Sequence, residues 1–213
     1  MARDDWFRNH TWSPAIAEAF FARLAKSRGS GNRAQYLRIQ AVELASTGKE
    51  SLVRVALQLL EQHLEEFSDP YEQTQAHAQA AECHVLLKQP EQAFEHYRAS
   101  LRANRQAPNL DCGVAVEFPW LIASLRRSDL YDEAIELLPD DTGPFPVSRF
   151  KASAARAVIA DARGQAPEAV RNAYAALEAA SQTESGLKHH RALGLVGPGH
   201  MEMVQWLRKR VAA

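Results

Sequence analysis

The stretch HVLLKQPEQAFEHY, residues 84–97, decides the fold. A helical run gives out at Lys88-Gln89, and Pro90 opens another. Proline is at home in a helix's first turn, where its missing N–H has no intrahelical partner to lose. Ala93 and Tyr97 then stand four apart on one face, one small and one large. That alternation is what a helix needs when it folds back onto the one before it.

Three other stretches superimpose on this one about the turn: ELASTGKESLVRVAL (43–57), LRRSDLYDEAIELL (125–138) and ADARGQAPEAVRNA (160–173). The small or apolar position becomes Val53, Ala93, Ala134 and Ala169, at spacings of 40, 41 and 35 residues. Twelve places earlier stand Ala41, Ala81, Ile122 and Ala157, and four places later Leu57, Tyr97, Leu138 and Ala173. The chain therefore reads as a series of helix pairs that bury their apolar stripes by stacking.

Breakers divide the rest in the same manner. Ser13-Pro14 offers an N-cap and proline for a helix through Lys26, and Asn32 is placed to cap a run to about Thr47. A third run covers Glu50 to Phe67, and Ser68-Asp69-Pro70 opens the next, which reaches Lys88. After the Pro90–Asn104 run come a loop at 105–113, helices near 114–127 and 131–138, and a proline-rich loop at 139–146. Further helices are expected at about 147–163, 167–181 and 200–211. Composition agrees: among 213 residues, 37 Ala and 22 Leu face only 12 Val and 5 Ile, which favours helix over strand throughout.

A net charge of −1 gives no basic surface for phosphate, which argues against nucleic acid as partner. Charge is nevertheless uneven, +3 over residues 1–33, +4 over 185–213 and −8 between, an arrangement that allows head-to-centre self-association. Neither a secretory leader nor an apolar run long enough to cross a membrane is expected. Two cysteines without zinc spacing, Cys83 and Cys112, read as reduced thiols, and a cytoplasmic location is expected.

Tyr131-Asp132-Glu133-Ala134-Ile135 and Pro90-Glu91-Gln92-Ala93-Phe94 with Tyr97 resemble the Tyr-x-x-Ala opening of the second helix in the tetratricopeptide repeat. Gly48 and Gly164 stand where that repeat has its turn glycine, and Lys88 and Ser128 replace it in the other two segments. The resemblance covers roughly residues 33–181, and two intervals exceed the family's 34-residue period. The ends, DDWFRNHTW and KHHRALGLVGPGHMEMVQWLRKR, are similar to those of a bacterial tetratricopeptide-like family whose likeness supplies no activity. The resemblance implies an all-α, right-handed α-α superhelix of four to five helix pairs, organised as an N-terminal capping segment and helix (1–32), degenerate repeats (33–181), and a loop with a C-terminal capping helix (182–213). It implies one structural unit and a protein- or peptide-binding scaffold or adaptor without catalysis, using the concave face formed by the first helices.

Carried over residue by residue, that face includes Gln35, Arg38, Gln75, Glu82, Arg126, Arg127, Lys151 and Asp161. Trp120, next to Pro119, joins them as a hot-spot candidate. Arg38, Arg126, Arg127 and Lys151 favour an acidic partner segment, against the plain reading that they are solvated or pair within the chain. A sensor for a small ligand or signalling peptide in the same groove is the alternative, and an enzyme without a recognisable motif the third reading. No catalytic, cofactor or metal residue is assigned. His77 and His84 lie seven apart, about 10 Å along a helix, too far for one metal without a ligand from another helix. Gly194-Leu-Val-Gly197-Pro-Gly199 lacks a phosphate loop's Lys-Ser/Thr pair and reads as a connector that positions the last helix. Trp6, Phe7, Trp12 and Trp206 read as caps over the terminal apolar faces.

Overall fold

The computed structural model describes residues 5–108 and 110–212. Met1–Asp4 of the expected N-terminal cap, Asn109 of the expected loop and Ala213 at the end of the last segment lie outside the described residues. Among those described, the chain is all-helical: α1 (Pro14–Lys26), α2 (Ser30–Ala45), α3 (Glu50–Glu66), α4 (Pro70–Leu86), α5 (Pro90–Asn104), α6 (Val114–Ser124), α7 (Tyr131–Leu137), α8 (Pro146–Ala162), α9 (Ala166–Ala180) and α10 (Met201–Val211). The caps explain two of the starts. Ser13 Oγ accepts from Ile16 N, and Asp69 Oδ1 accepts from Tyr71 N and Glu72 N, each with proline following.

One expected start is displaced. Gly29, at φ +84°, precedes a helix that already begins at Ser30, so Asn32 is not the cap. Its Nδ2 instead donates back to Arg28 O, inside the turn.

The turns between paired helices carry the clearest internal repeat. At Lys88, Arg126 and Gly164 the backbone enters the left-handed region, with φ +57°, +56° and +72°. Each is followed by a residue whose N–H reaches five positions back: Gln89 N to His84 O, Arg127 N to Ile122 O, and Gln165 N to Ala160 O. This is the Schellman closure of a helix C-terminus. The three residues are 38 apart, and Gly48, at φ +66°, precedes Lys88 by 40. The third turn thus pivots on Arg126, not Ser128. Ser128–Leu130 is instead a 3₁₀ turn that leads directly into α7. Seven places before the pivot stand Ala41, Ala81 and Ala157, with Pro119 at the third. Pro119 is buried inside α6, beyond its first turn, where it removes a hydrogen bond to Ala115 O.

The chain divides into two compact units, Met1–Val114 and Ala115–Ala213. The division falls in the middle of the expected repeat block, directly after the loop at 105–113, where the run of short turns between helices is interrupted. In the first unit, α2 packs with α3 and α4 with α5, while α3 lies against α4. Its core joins Leu37, Leu44, Leu60 and Phe20 with Ala34, Ala41, Ala56 and Ala76. The N-terminal aromatics close one end: Trp6 lies 5.4 Å from Phe20 and 5.0 Å from Tyr36, and Phe7 stacks on Tyr36 at 4.6 Å. Such pairs each contribute on the order of 1 kcal/mol beyond area burial. In the second unit α8 packs with α9, and α10 lies against both. Val204 and Leu207 of α10 enter a core of Phe150, Ala154, Ala157, Ala173 and Ala176. No helix among the described residues is long and apolar enough to cross a membrane.

Candidate functional site

Leu207 and Val204 fix the rotation of α10, so Met203 and Trp206, one position before each, fall at the rim of its buried face. The approach to the helix is equally constrained. Val147 N donates to Gly194 O at 2.8 Å, tying the connector to the start of α8. Gly194 sits at φ +71°, and a Cβ there would stand 2.5 Å from Phe145 Cδ1, so only glycine fits. The 3₁₀ turn Pro198–His200 then feeds α10. The glycine-rich stretch therefore positions the last helix, as its sequence suggests.

A recess of about 350 Å³ results, lined by Trp120 and Ser124 of α6, Arg126 of the third turn, Gly199 and His200 of the 3₁₀ turn, and Glu202, Met203 and Trp206 of α10. The Arg126 guanidinium lies over the Trp206 ring, 4.5 Å from its centroid, and that of Arg210 stands 5.6 Å away. Trp120 packs on Phe150 at 5.7 Å and on His200 at 5.6 Å. Burial, followed by the positive charge of Lys151, pushes the His200 imidazole below its ordinary pKa. Its Nδ1 faces Gly197 O at 3.4 Å.

The other charged residues singled out in this unit are engaged within the chain. Lys151 Nζ donates to both oxygens of Glu117 at 2.6 and 2.7 Å, joining α8 to α6. Arg210 donates to Asp161 at 2.5 Å, joining α10 to α8. Arg127 forms a fork to Asp129 two residues on, and holds that carboxyl below its usual range. Trp120 and Arg126 are therefore the two expected partner-binding residues that the fold brings together in one recess. His200, Met203 and Trp206, which complete it, come from outside the repeat.

In the first unit Arg38 is not a groove side chain. It is 8% exposed, and its Nε donates to Glu72 Oε2 at 3.0 Å; the same oxygen meets His63 Nε2 at 3.2 Å. Burial first, and the Arg38 charge after it, lower the His63 pKa against the opposing pull of Glu72. A carboxylate on the next hairpin consumes the arginine because α2 and α4 lie side by side. Gln35 is exposed, Gln75 is half-buried with its Nε2 lacking a partner among the described residues, and Glu82 lines a second recess. That recess, about 250 Å³, is bounded mainly by Ala41, Val42 and Ala45 of α2 and by Gln79, Cys83 and Leu86 of α4. Burial pushes the Cys83 thiol up to about 12.

Nothing in the residue pattern singles out His96. It stands on α5 between His77 and His84 of α4, its ring 5.2 Å from each. Its Nδ1 lies 3.0 Å from His77 Nδ1. Burial and the neighbouring His96 push His77 down to about 4, and burial lowers His96 in the same way. His77, His96 and His84 thus form a line of three half-buried imidazoles. No group of three His, Cys, Asp or Glu side chains among the described residues is arranged to hold one metal ion. Compared with known proteins, the chain matches no family model, no curated protein and no solved structure.

Proposed function

We propose that the chain is a non-catalytic protein- or peptide-binding scaffold of tetratricopeptide-like hairpins, in which the recess at Trp120, Arg126 and Trp206 grips a side chain of an acidic partner segment. The observation that carries this reading is the recess itself. Tryptophan and arginine are the residue types that dominate interface energetics when grouped in a desolvated pocket. Here two tryptophans flank an arginine whose donors form no ion pair among the described residues, whereas Arg127, Lys151 and Arg210 are each held by a carboxylate. A carboxylate entering the recess gains charge-assisted hydrogen bonds from Arg126 beside the two ring walls. The concave face of a superhelix belongs to the same proposal, supported by the 38-residue recurrence of the Schellman turns.

The test is a panel of acidic peptides, selected on the immobilised full chain and read by the fluorescence of Trp120 and Trp206. Selected peptides should lose about tenfold or more in affinity on Arg126→Gln and on Trp120→Ala, as expected for hot-spot truncations above ~1.4 kcal/mol. Arg171→Gln, on an exposed arginine of α9, should leave binding unchanged. Peptides that bind all three variants as they bind the native chain would refute the assignment of this recess.

A further inference from the structure

We propose that His77 and His96 form a two-imidazole chelate for a borderline divalent cation of the late first transition row, such as Cu²⁺, Ni²⁺ or Zn²⁺, held between their Nδ1 atoms and completed by water. Two donors come from different helices, α4 and α5, which a tight turn at Lys88 and their mutual packing hold in place. The Nδ1 atoms stand 3.0 Å apart. A metal bonded to two imidazole nitrogens at about 2.0–2.1 Å in tetrahedral array needs them about 3.3 Å apart, so a shift of about 0.3 Å suffices. Imidazole nitrogen suits copper, nickel and zinc, while calcium and magnesium take oxygen.

The hydrogen bookkeeping permits the exchange. In the metal-free pair one Nδ1 carries a hydrogen and donates to the other, because two bare lone pairs at this distance would repel. When the cation enters, that hydrogen moves to the Nε2 of the same ring. Both rings remain neutral, and each offers an Nδ1 lone pair to the metal. Both residues are half-buried, which leaves part of their surface to the solvent that would supply the remaining ligands. Beyond the pair itself, Arg102 and His63 act on His77, and His84 and Glu95 on His96; the charges of Arg102 and Glu95 oppose each other.

His84 stands apart from the chelate. Its Nδ1 lies 2.9 Å from Gln89 Oε1, an acceptor, which fixes the hydrogen on Nδ1. Its ring centre is 5.2 Å from that of His96, on the side away from His77, as the seven-residue spacing on α4 requires. The chelate therefore has two protein ligands, and His84 serves as a built-in comparison.

The experiment titrates the full chain with Cu²⁺, Ni²⁺ and Zn²⁺ salts, each against a chromophoric indicator. One tight equivalent is expected, with Cu²⁺ bound most strongly, as the order of first-row affinities requires. His77→Gln or His96→Gln should each weaken Cu²⁺ binding at least tenfold, while His84→Gln and the exposed pair replacement His189→Gln/His190→Gln change it less than threefold. Circular dichroism establishes that each variant is folded. For a variant that is not, the Cu²⁺ electron paramagnetic resonance spectrum of the native chain decides, since two imidazole nitrogens must couple to the metal. Binding that survives loss of His77 and His96, an equal loss on His84→Gln, or a spectrum with a single coupled imidazole would each overturn the proposal. Failure of the peptide recess in the second unit would leave these results unaffected.

Discussion

Arg126 occupies a backbone position that disfavours any side chain except glycine, and its head group lies over Trp206. The two effects separate experimentally because Lys88 occupies the equivalent pivot with an exposed side chain. A non-glycine residue in the left-handed region costs roughly 1–2 kcal/mol. Glycine returns about 0.4–1 kcal/mol of that through the greater freedom of the unfolded chain. Lys88→Gly should therefore stabilise the first unit by about 0.5–1 kcal/mol. Arg126→Gly gains the same relief but loses a cation–π contact worth about 1 kcal/mol at a half-buried ring. Its expected net effect on the second unit is close to zero. In a Trp206→Leu background that loss is absent, and Arg126→Gly should stabilise as Lys88→Gly does. Urea unfolding read by hydrogen exchange resolved to each unit provides the assay. Full stabilisation of the second unit by Arg126→Gly while Trp206 is present would refute the cation–π assignment.

Three further outcomes follow from the geometry. Gly164→Ala should cost about 1–2 kcal/mol from backbone strain alone, because an added Cβ meets nothing within 4 Å, whereas Gly194→Ala should cost more by driving into Phe145; thermal melts compare the two. Between pH 6.5 and about 4 the unfolded chain binds more protons than folded His77 does, so the first unit should lose stability as pH falls through that window. Full linkage is about 3 kcal/mol, and solvent screening of the half-buried ring reduces it to about 1–2 kcal/mol; His77→Gln should remove that share of an acid titration followed by circular dichroism. A thiol reagent near neutral pH should label half-buried Cys112 ahead of Cys83, whose burial and raised pKa delay reaction until the chain opens; mass spectrometry of timed samples reads the order.

Helix existence is legible because its signals are local. Prolines at 14, 70 and 90 mark first turns, and Ser13 and Asp69 supply side-chain caps where the sequence places them. The pivot at Arg126 is hidden because the sequence rule looks for glycine, and an arginine in the left-handed region announces nothing in its neighbours. Arg38 misleads for a different reason. Its partner Glu72 is 34 residues away, and only the side-by-side packing of α2 and α4 shows that the charge is used internally. Trp120 and Arg126 can be nominated from the repeat register, but the other walls of their recess come from the C-terminal helix, whose seat no periodicity encodes. His96 is the same case in miniature: its meaning depends on which residues of α4 it faces.

The Glu72 carboxylate has a consequence for how the first unit comes undone. One oxygen serves Arg38 from α2 and His63 from α3, while Glu72 itself rides on α4. Stacked repeats ordinarily peel from an end, each hairpin setting its own stability against a single neighbour. Here, lifting either hairpin away breaks both contacts to the Glu72 carboxylate at once, and a hydrogen bond to a charged group is worth about 1.5–3 kcal/mol on top of the lost packing. Fraying is thereby made costly at its first step. Helices α2 to α4 should melt as one cooperative block, and Glu72→Gln is the change that lets the hairpins separate in succession.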